Sequence, residues 1–168
     1  MKLIAIAVVA SNRVIGDGKD QPFKFREDWA RFKRVTMGHP LISGRKTFDA
    51  MGILKGRASI VITRSPDKVI NSVEASERQQ LIAVTSLDDA IAQAAQLDDI
   101  AFIIGGGEIY RQAMDLVDEL DLTLVHAKAD GHVTFPKIGD EWVEVERVRG
   151  EQFDFVKYQR AQARDNEV

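Results

Sequence analysis

The chain of 168 residues contains no cysteine, which excludes disulfides, thiolate metal ligands and a cysteine nucleophile together. It has only three histidines, His39, His126 and His132. No two share a spacing that would bring them together on one helix, so neither a metal site nor a histidine base is expected. No serine stands in a nucleophile-elbow pattern. The net charge of −3 lacks the basic excess that draws a polyanion, so nucleic acid is not an expected partner. No apolar run approaches the ~20 residues of a membrane-crossing helix. Residues 1–10 briefly resemble a secretion signal. Their apolar run is short, a single lysine precedes it, and residues 12–16 continue like a domain interior. The expectation is a buried first strand of a cytoplasmic protein.

What is present is an ordinary globular balance, 45% apolar and 29% charged. The length suits one domain over 1–168, able to bury about two-thirds of its unfolded surface, with a frayed tail at 161–168. Short apolar runs at 3–9, 40–43, 59–63, 81–84 and 100–104 read as strands. Amphipathic stretches at 27–36, 46–51, 87–97 and 108–117 read as four helices between them, Ser86 serving as N-cap of the third. Such alternation predicts an α/β fold, a mostly parallel central sheet of about eight strands flanked by those helices. After residue 117 three strands without helices, 120–127, 141–149 and 153–159, predict an antiparallel C-terminal edge. The polar stretch 67–80 reads as a long surface loop.

Three consecutive glycines, Gly105, Gly106 and Gly107, lie between a buried strand and the helix beginning at Glu108. Glycine there gives up entropy and packs nothing. Either the strand-to-helix turn is simply tight, or something lies against bare backbone where a helix N-terminus favours an anion. Two more strand ends join it. One leads into Gly44-Arg45-Lys46-Thr47, the other into Thr63-Arg64-Ser65. In a parallel sheet all three turns emerge at the carboxyl edge, where ligands of open α/β sheets bind. Each cation alone could be a solvated rim residue; together with three converging turns, two of them carrying glycine, and three hydroxyls they suit a ligand with several phosphates. On the helix at 27–36, Asp28, Phe32 and Val35 fall at i, i+4 and i+7, which puts a carboxylate on the apolar stripe. It is either a first-turn Asp serving the helix end, or a buried carboxylate awaiting an N–H-rich heterocycle. The loop at 16–21, with Gly16 and Gly18, suits a lid or a plain mobile connection.

In order along the chain, these residues resemble the dihydrofolate reductase family over about residues 4–136. Asn12-Arg13-Val14-Ile15-Gly16 is similar to the family's lid signature, and residues 22–33 around Asp28 to its active-site segment. Gly44-Arg45-Lys46-Thr47-Phe48 resembles the cofactor turn, Gly56-Arg57 the glycine-arginine pair, and residues 103–110 a signature of the fold. Leu122-Thr123 and Phe135-Pro136 complete the set. The resemblance implies NADPH-dependent reduction of 7,8-dihydrofolate to tetrahydrofolate for one-carbon metabolism, with hydride to C6 and a proton to N5, by a monomer that antifolates would also bind. It implies Asp28 as the catalytic carboxylate, holding the 2-amino group and N3 of the pteridine, with Thr123 hydrogen-bonded to Asp28 or the amino group. Ile6, Ala7, Phe32, Met51 and Leu54 would line the substrate cavity, and Arg57 would pair with the glutamate α-carboxylate. On the cofactor side it implies Arg45, Thr63 and Arg64 at the 2′-phosphate, with Gly44, Lys46, Thr47 and Ser65 in the same turns. Gly106 and Gly107 would seat the pyrophosphate, Ala7, Ile15, Gly16 and Tyr110 would surround the nicotinamide, and Ile104, Glu108 and Ile109 would also belong to the cofactor site.

The chain departs from the family at Phe23, where tryptophan is usual, at Trp29, bulkier than the usual aliphatic, at Arg26, which replaces a frequent proline, and at His132-Val133. Two rival readings remain at this stage. One is a related reductase of another pterin or of a ribosylated pyrimidine, for which Arg57 is the wrong anion site. The other is a silent nucleotide-binding module, which would need Asp28 lost.

Overall fold

Apolar side chains recurring without interruption mark strands buried on both faces, and here they build one sheet. The computed structural model describes residues 1–18 and 20–162; the tail expected to fray lies, from 163 onward, outside the described residues. In chain order the elements are β1 (Lys2–Val9), β2 (Val14–Gly16), α1 (Arg26–Thr36), β3 (Leu41–Gly44), α2 (Arg45–Met51), β4 (Ser59–Ile62), α3 (Pro66–Asn71), β5 (Leu81–Val84), α4 (Leu87–Leu97), β6 (Ile100–Gly105), α5 (Gly107–Ala113), β7 (Glu119–Val125), β8 (Val133–Thr134), β9 (Trp142–Val148) and β10 (Phe153–Arg160). The eight-stranded sheet has the order β5-β4-β3-β6-β1-β7-β10-β9. It is parallel from β5 through β7, and β10 and β9 close it antiparallel. The expected α/β sheet with its antiparallel edge is therefore the observed one.

β1 lies between β6 and β7, where the chain, having worked outward on one side of the sheet, crosses to the other. Such a crossing leaves a crevice beyond the carboxyl ends of the strands, because the connections diverge on either side of it. Ile42, Ile60, Val61, Ile103, Leu120, Leu122 and Val156 are fully buried in the sheet. Removing such a side chain costs about 2–5 kcal/mol, so the strands set a rigid frame. Ser86 Oγ accepts the amide of Asp89 at 3.1 Å, the expected N-cap of α4.

Two expectations need correction. The segment 67–80 is not a long loop: it holds α3 and a 3-10 turn over Ala75–Gln80. Pro66 opens α3, and Val69 and Ile70 anchor it on Phe48, Val61 and Leu81, apolar contacts hidden among polar neighbours. A fifth α-helix thus joins the four. The helix expected over 108–117 ends at Ala113, and a turn closed by the Leu116 and Val117 amides on the Ala113 carbonyl leads to β7. A second, two-stranded sheet of β2 and β8 was not anticipated.

Candidate functional site

Helix α1 faces strand β7 beside the crevice. Asp28, in the first turn of α1, is half-buried, and its Oδ1 accepts a hydrogen bond from Thr123 Oγ1 of β7. Thr123 is only 3% exposed, so the hydroxyl is fixed by the sheet. Burial pushes the Asp28 carboxyl above its ordinary value. The Thr123 hydroxyl and the Arg31 charge pull it back, while Asp121 and Glu27 push it up. Desolvation prevails, as it does for a carboxylate against an apolar wall. Ile6 of β1, Phe32 of α1 and Leu54 meet in one apolar cluster with Ile4, Leu41 and Phe102, and Ile104 joins it. Ala7 and Ile15 pack instead against the larger core that contains Tyr110. Met51, the last residue of α2, is half-buried and lies outside these clusters.

Arg57 is 5% exposed, and burial holds its guanidinium below the ordinary value. Nε and Nη2 donate to the Lys55 carbonyl at 3.1 and 2.8 Å, and Nη1 lies 3.4 Å from Thr36 Oγ1. Thr36 in turn donates to the Phe32 carbonyl at 2.6 Å. Arg57 is thereby tied to the same helix that carries Asp28.

The parallel ladders β3–β4 and β3–β6 bring the three expected turns to one edge. Gly44 ends β3 and is the N-cap of α2; Arg45 Nε lies 3.1 Å from Asp49 Oδ1 one turn on. Lys46 and Arg64 are exposed and make no ion pair among the described residues. Thr63 is buried, and its Oγ1 accepts the amide of Ser65 at 3.1 Å; the Ser65 side chain makes no cap bond to α3. Gly105 and Gly106 are joined by a cis peptide, and Gly105 has φ +127°, a conformation open to glycine. Cβ atoms built on these two would approach Thr47 Oγ1 at 3.2 and 3.4 Å. Gly107, by contrast, faces Val133 of β8.

Tyr110 is 3% exposed and donates its hydroxyl to the Ile6 carbonyl at 2.6 Å, tying α5 to β1. Ile109 is buried beside Gly44. Glu108 turns its carboxylate onto Arg111 at 2.6 Å and Gln112 at 3.2 Å, so its side chain lies along the helix. Gly16 is buried at the end of β2, across from Val133. Its loop closes on itself where Asp17 Oδ1 accepts the Asp20 amide at 2.9 Å.

The sequence-based reading missed one pair at this site. Arg31 Nη2 lies 2.7 and 2.9 Å from the two oxygens of Asp121. The signal was available in spacing: Arg31 is three residues from Asp28 on the helix, and Asp121 two from Thr123 on the strand.

Known proteins resemble this chain in sequence and in fold. A family model described as dihydrofolate reductase matches residues 2–161. The dihydrofolate reductase of Neisseria meningitidis serogroup B is 37% identical over 169 residues, 95% of this chain and 99% of that protein. The type 1 dihydrofolate reductase of Escherichia coli is 34% identical over 138 residues, 82% of this chain and 83% of that protein. Among solved structures, dihydrofolate reductase from Enterococcus faecalis, complexed with NADP(H) and RAB-propyl, superposes with a TM-score of 0.83 at 27% identity. That match covers 96% of this chain and 97% of the other. Matched by that family model over residues 2–161 and by relatives along most of its length, this chain belongs to the dihydrofolate reductase family.

Proposed function

We infer that the chain catalyses the NADPH-dependent reduction of 7,8-dihydrofolate to 5,6,7,8-tetrahydrofolate. The observation that carries this reading is the half-buried Asp28, held by Thr123 across the seam between α1 and β7 at the wall of an apolar crevice. A carboxylate in that setting matches a heterocycle that presents adjacent N–H groups, because two donors satisfy the charge that burial leaves short of water. Phe32, Ile6 and Leu54 form the apolar wall such a ring needs, and Ala7 and Met51 would complete the cavity. Arg57 is suited to the carboxylate of a glutamate tail, an anion that a sugar-phosphate substrate lacks.

The donor set on the other side of the crevice fits NADPH. Gly44 and Gly106 leave backbone partly exposed at two adjoining turns, and Arg45 and Lys46, with Arg64 of the third turn, add positive charge there. Thr47, Thr63 and Ser65 add hydroxyls. Arg45, Thr63 and Arg64 would take the 2′-phosphate, and Gly106 with the amides of Gly107 and Glu108 the pyrophosphate. Ala7, Ile15, Gly16, Ile104, Ile109 and Tyr110 would shape the nicotinamide end. When bound, NADPH supplies the hydride. The protein's part is to hold two rings in contact and exclude water, and to keep a carboxylate beside the pterin. Asp28 draws a proton toward the ring system, and a water relays it to N5.

One chain supplies both sides of the crevice, which supports a single-domain monomer. No helix of the described residues is long and apolar enough to cross a membrane. A cytoplasmic location fits an enzyme that draws on NADPH and folate to serve one-carbon metabolism, and antifolates would occupy the pterin cavity. The test is to mix purified protein with NADPH and dihydrofolate and follow cofactor oxidation. Saturable turnover is expected; no turnover by folded protein that binds NADPH would overturn the reading.

A further inference from the structure

Two polar rungs cross the seam between α1 and β7. One is Asp28–Thr123. The other is Arg31–Asp121, three residues further along the helix and two residues back along the strand, so both rungs use the same helix face and the same strand face. The second rung is well enclosed, with side chains 13% and 8% exposed. Arg31 is held from two directions, by the two oxygens of Asp121 and by the ring of Phe155, 4.7 Å from its guanidinium carbon. An enclosed ion pair gains little net stability over an apolar pair, because desolvation offsets the attraction. Its place beside the Asp28 carboxylate therefore asks for another role.

We propose that Arg31 and Asp121 are positioning residues for the reaction: paired across the α1–β7 seam, they fix Asp28 against Thr123 and cancel each other's charge at its carboxyl. The proposal rests on the assignment of Asp28 to the pterin. Among the described residues, few charged groups face Asp28. Glu27 and Arg31 stand on α1 and Asp121 on β7. Behind them Lys157 of β10 is in register with Asp121, but its Nζ is directed to Glu146 of β9 at 3.5 Å. Arg31 and Asp121 act on Asp28 with opposite sign, and the burial of the seam keeps solvent from screening them fully.

Removing one partner should therefore unbalance Asp28 in a direction that depends on which partner is removed. Asp121→Asn leaves an uncompensated cation, which favours the ionised carboxylate. Arg31→Met leaves an uncompensated anion, which favours the protonated form. The experiment titrates the Asp28 carboxyl in the free, full-length protein by carbon NMR with labelled aspartate, assigned by its loss in Asp28→Asn. The midpoint should fall by about half a pH unit or more in Asp121→Asn and rise by about as much in Arg31→Met. It should return toward the parent in the double variant and stay near it in Arg31→Lys, which keeps the charge. Single-turnover hydride transfer against pH should shift in the same two directions.

A purely structural pair would weaken folding in both variants without moving the midpoint oppositely. Midpoints that stay put, or that move the same way in both variants, overturn the proposal. If Arg31→Met does not fold, Asp121→Asn decides alone, and an unmoved midpoint there overturns it. The assignment of Asp28 fails separately: Asp28→Asn would then transfer hydride at the parental rate, whatever the titration shows.

Discussion

A Cβ built on Gly107 stands 2.7 Å from Cγ1 of Val133, so the protein's own β8 strand, and not a ligand, occupies the space beside this glycine. Val133 pairs with Gly16 at the start of the loop before α1, so the contact joins the glycine turn to that loop through the small second sheet. Gly107→Ala must push β8 or its valine aside. The expected loss is about 1–3 kcal/mol, the usual scale of overpacking. Urea unfolding measures it, and a midpoint equal to the parent's would show that Val133 yields freely.

Much of the fold was legible because parallel strands buried on both faces read as uninterrupted apolar runs, and because each is followed by a turn with its own chemistry. Ile60-Val61-Ile62 before Thr63-Arg64 is such a case. Elements whose cause lies elsewhere in the chain were not legible. β2 and β8 are three and two residues long, too short to show a period, and exist because they pair with each other. Val69 makes α3 a packed helix only because Phe48 and Leu81 come to meet it. Among the glycines, one motif conceals three situations. Gly105 has a positive φ, Gly106 leaves backbone open beside Thr47, and Gly107 accommodates a valine. Arg31 and Asp121, 90 residues apart, show a pair only once the helix spacing from Asp28 and the strand spacing from Thr123 are laid side by side.

Asp28 should trade stability for function. Burial raises its carboxyl above the ordinary 3.8, so the fold binds that proton more tightly than the unfolded chain. The stability this contributes is full at pH below the unfolded value and lost as pH rises through the raised one. Asp28→Asn, which cannot ionise, should therefore unfold at a higher temperature than the parent at neutral pH. The gap should close as pH falls toward the ordinary carboxylate range. Hydride transfer should drop by ~10² or more, the scale of a lost acid–base group, while NADPH binding persists. Calorimetry at several pH values and single-turnover kinetics check both halves; a neutral-pH midpoint no higher than the parent's would contradict the first.

Arg57 already gives three donor contacts to Lys55 and Thr36, which leaves one hydrogen on each terminal nitrogen for a carboxylate. Lysine cannot reproduce that fork or the tether to the 36–55 segment. Arg57→Lys should raise KM for dihydrofolate by roughly 10-fold or more, the worth of a charge-assisted hydrogen bond, with kcat little changed because the tail is remote from the reacting ring. A reduced pterin without the glutamate should be used equally well by both proteins. Equal losses on both substrates would mean that Arg57 acts through the fold.

Of the two arginines in these turns, Arg64 is the better placed to distinguish the two nicotinamide cofactors. It follows β4 directly, is exposed, and makes no ion pair among the described residues, whereas Arg45 leans on Asp49. An exposed guanidinium meets a 2′-phosphate through a screened attraction, so its effect should weaken with salt. Arg64→Ala should raise the dissociation constant of NADPH by about 10-fold at low ionic strength, the scale of one charge-assisted contact, and leave that of NADH nearly unchanged. Fluorescence titration with each cofactor at two salt concentrations reads this directly. If both cofactors weaken equally, Arg64 does not meet the 2′-phosphate, and Arg45 and Lys46 at the head of α2 remain to carry that charge.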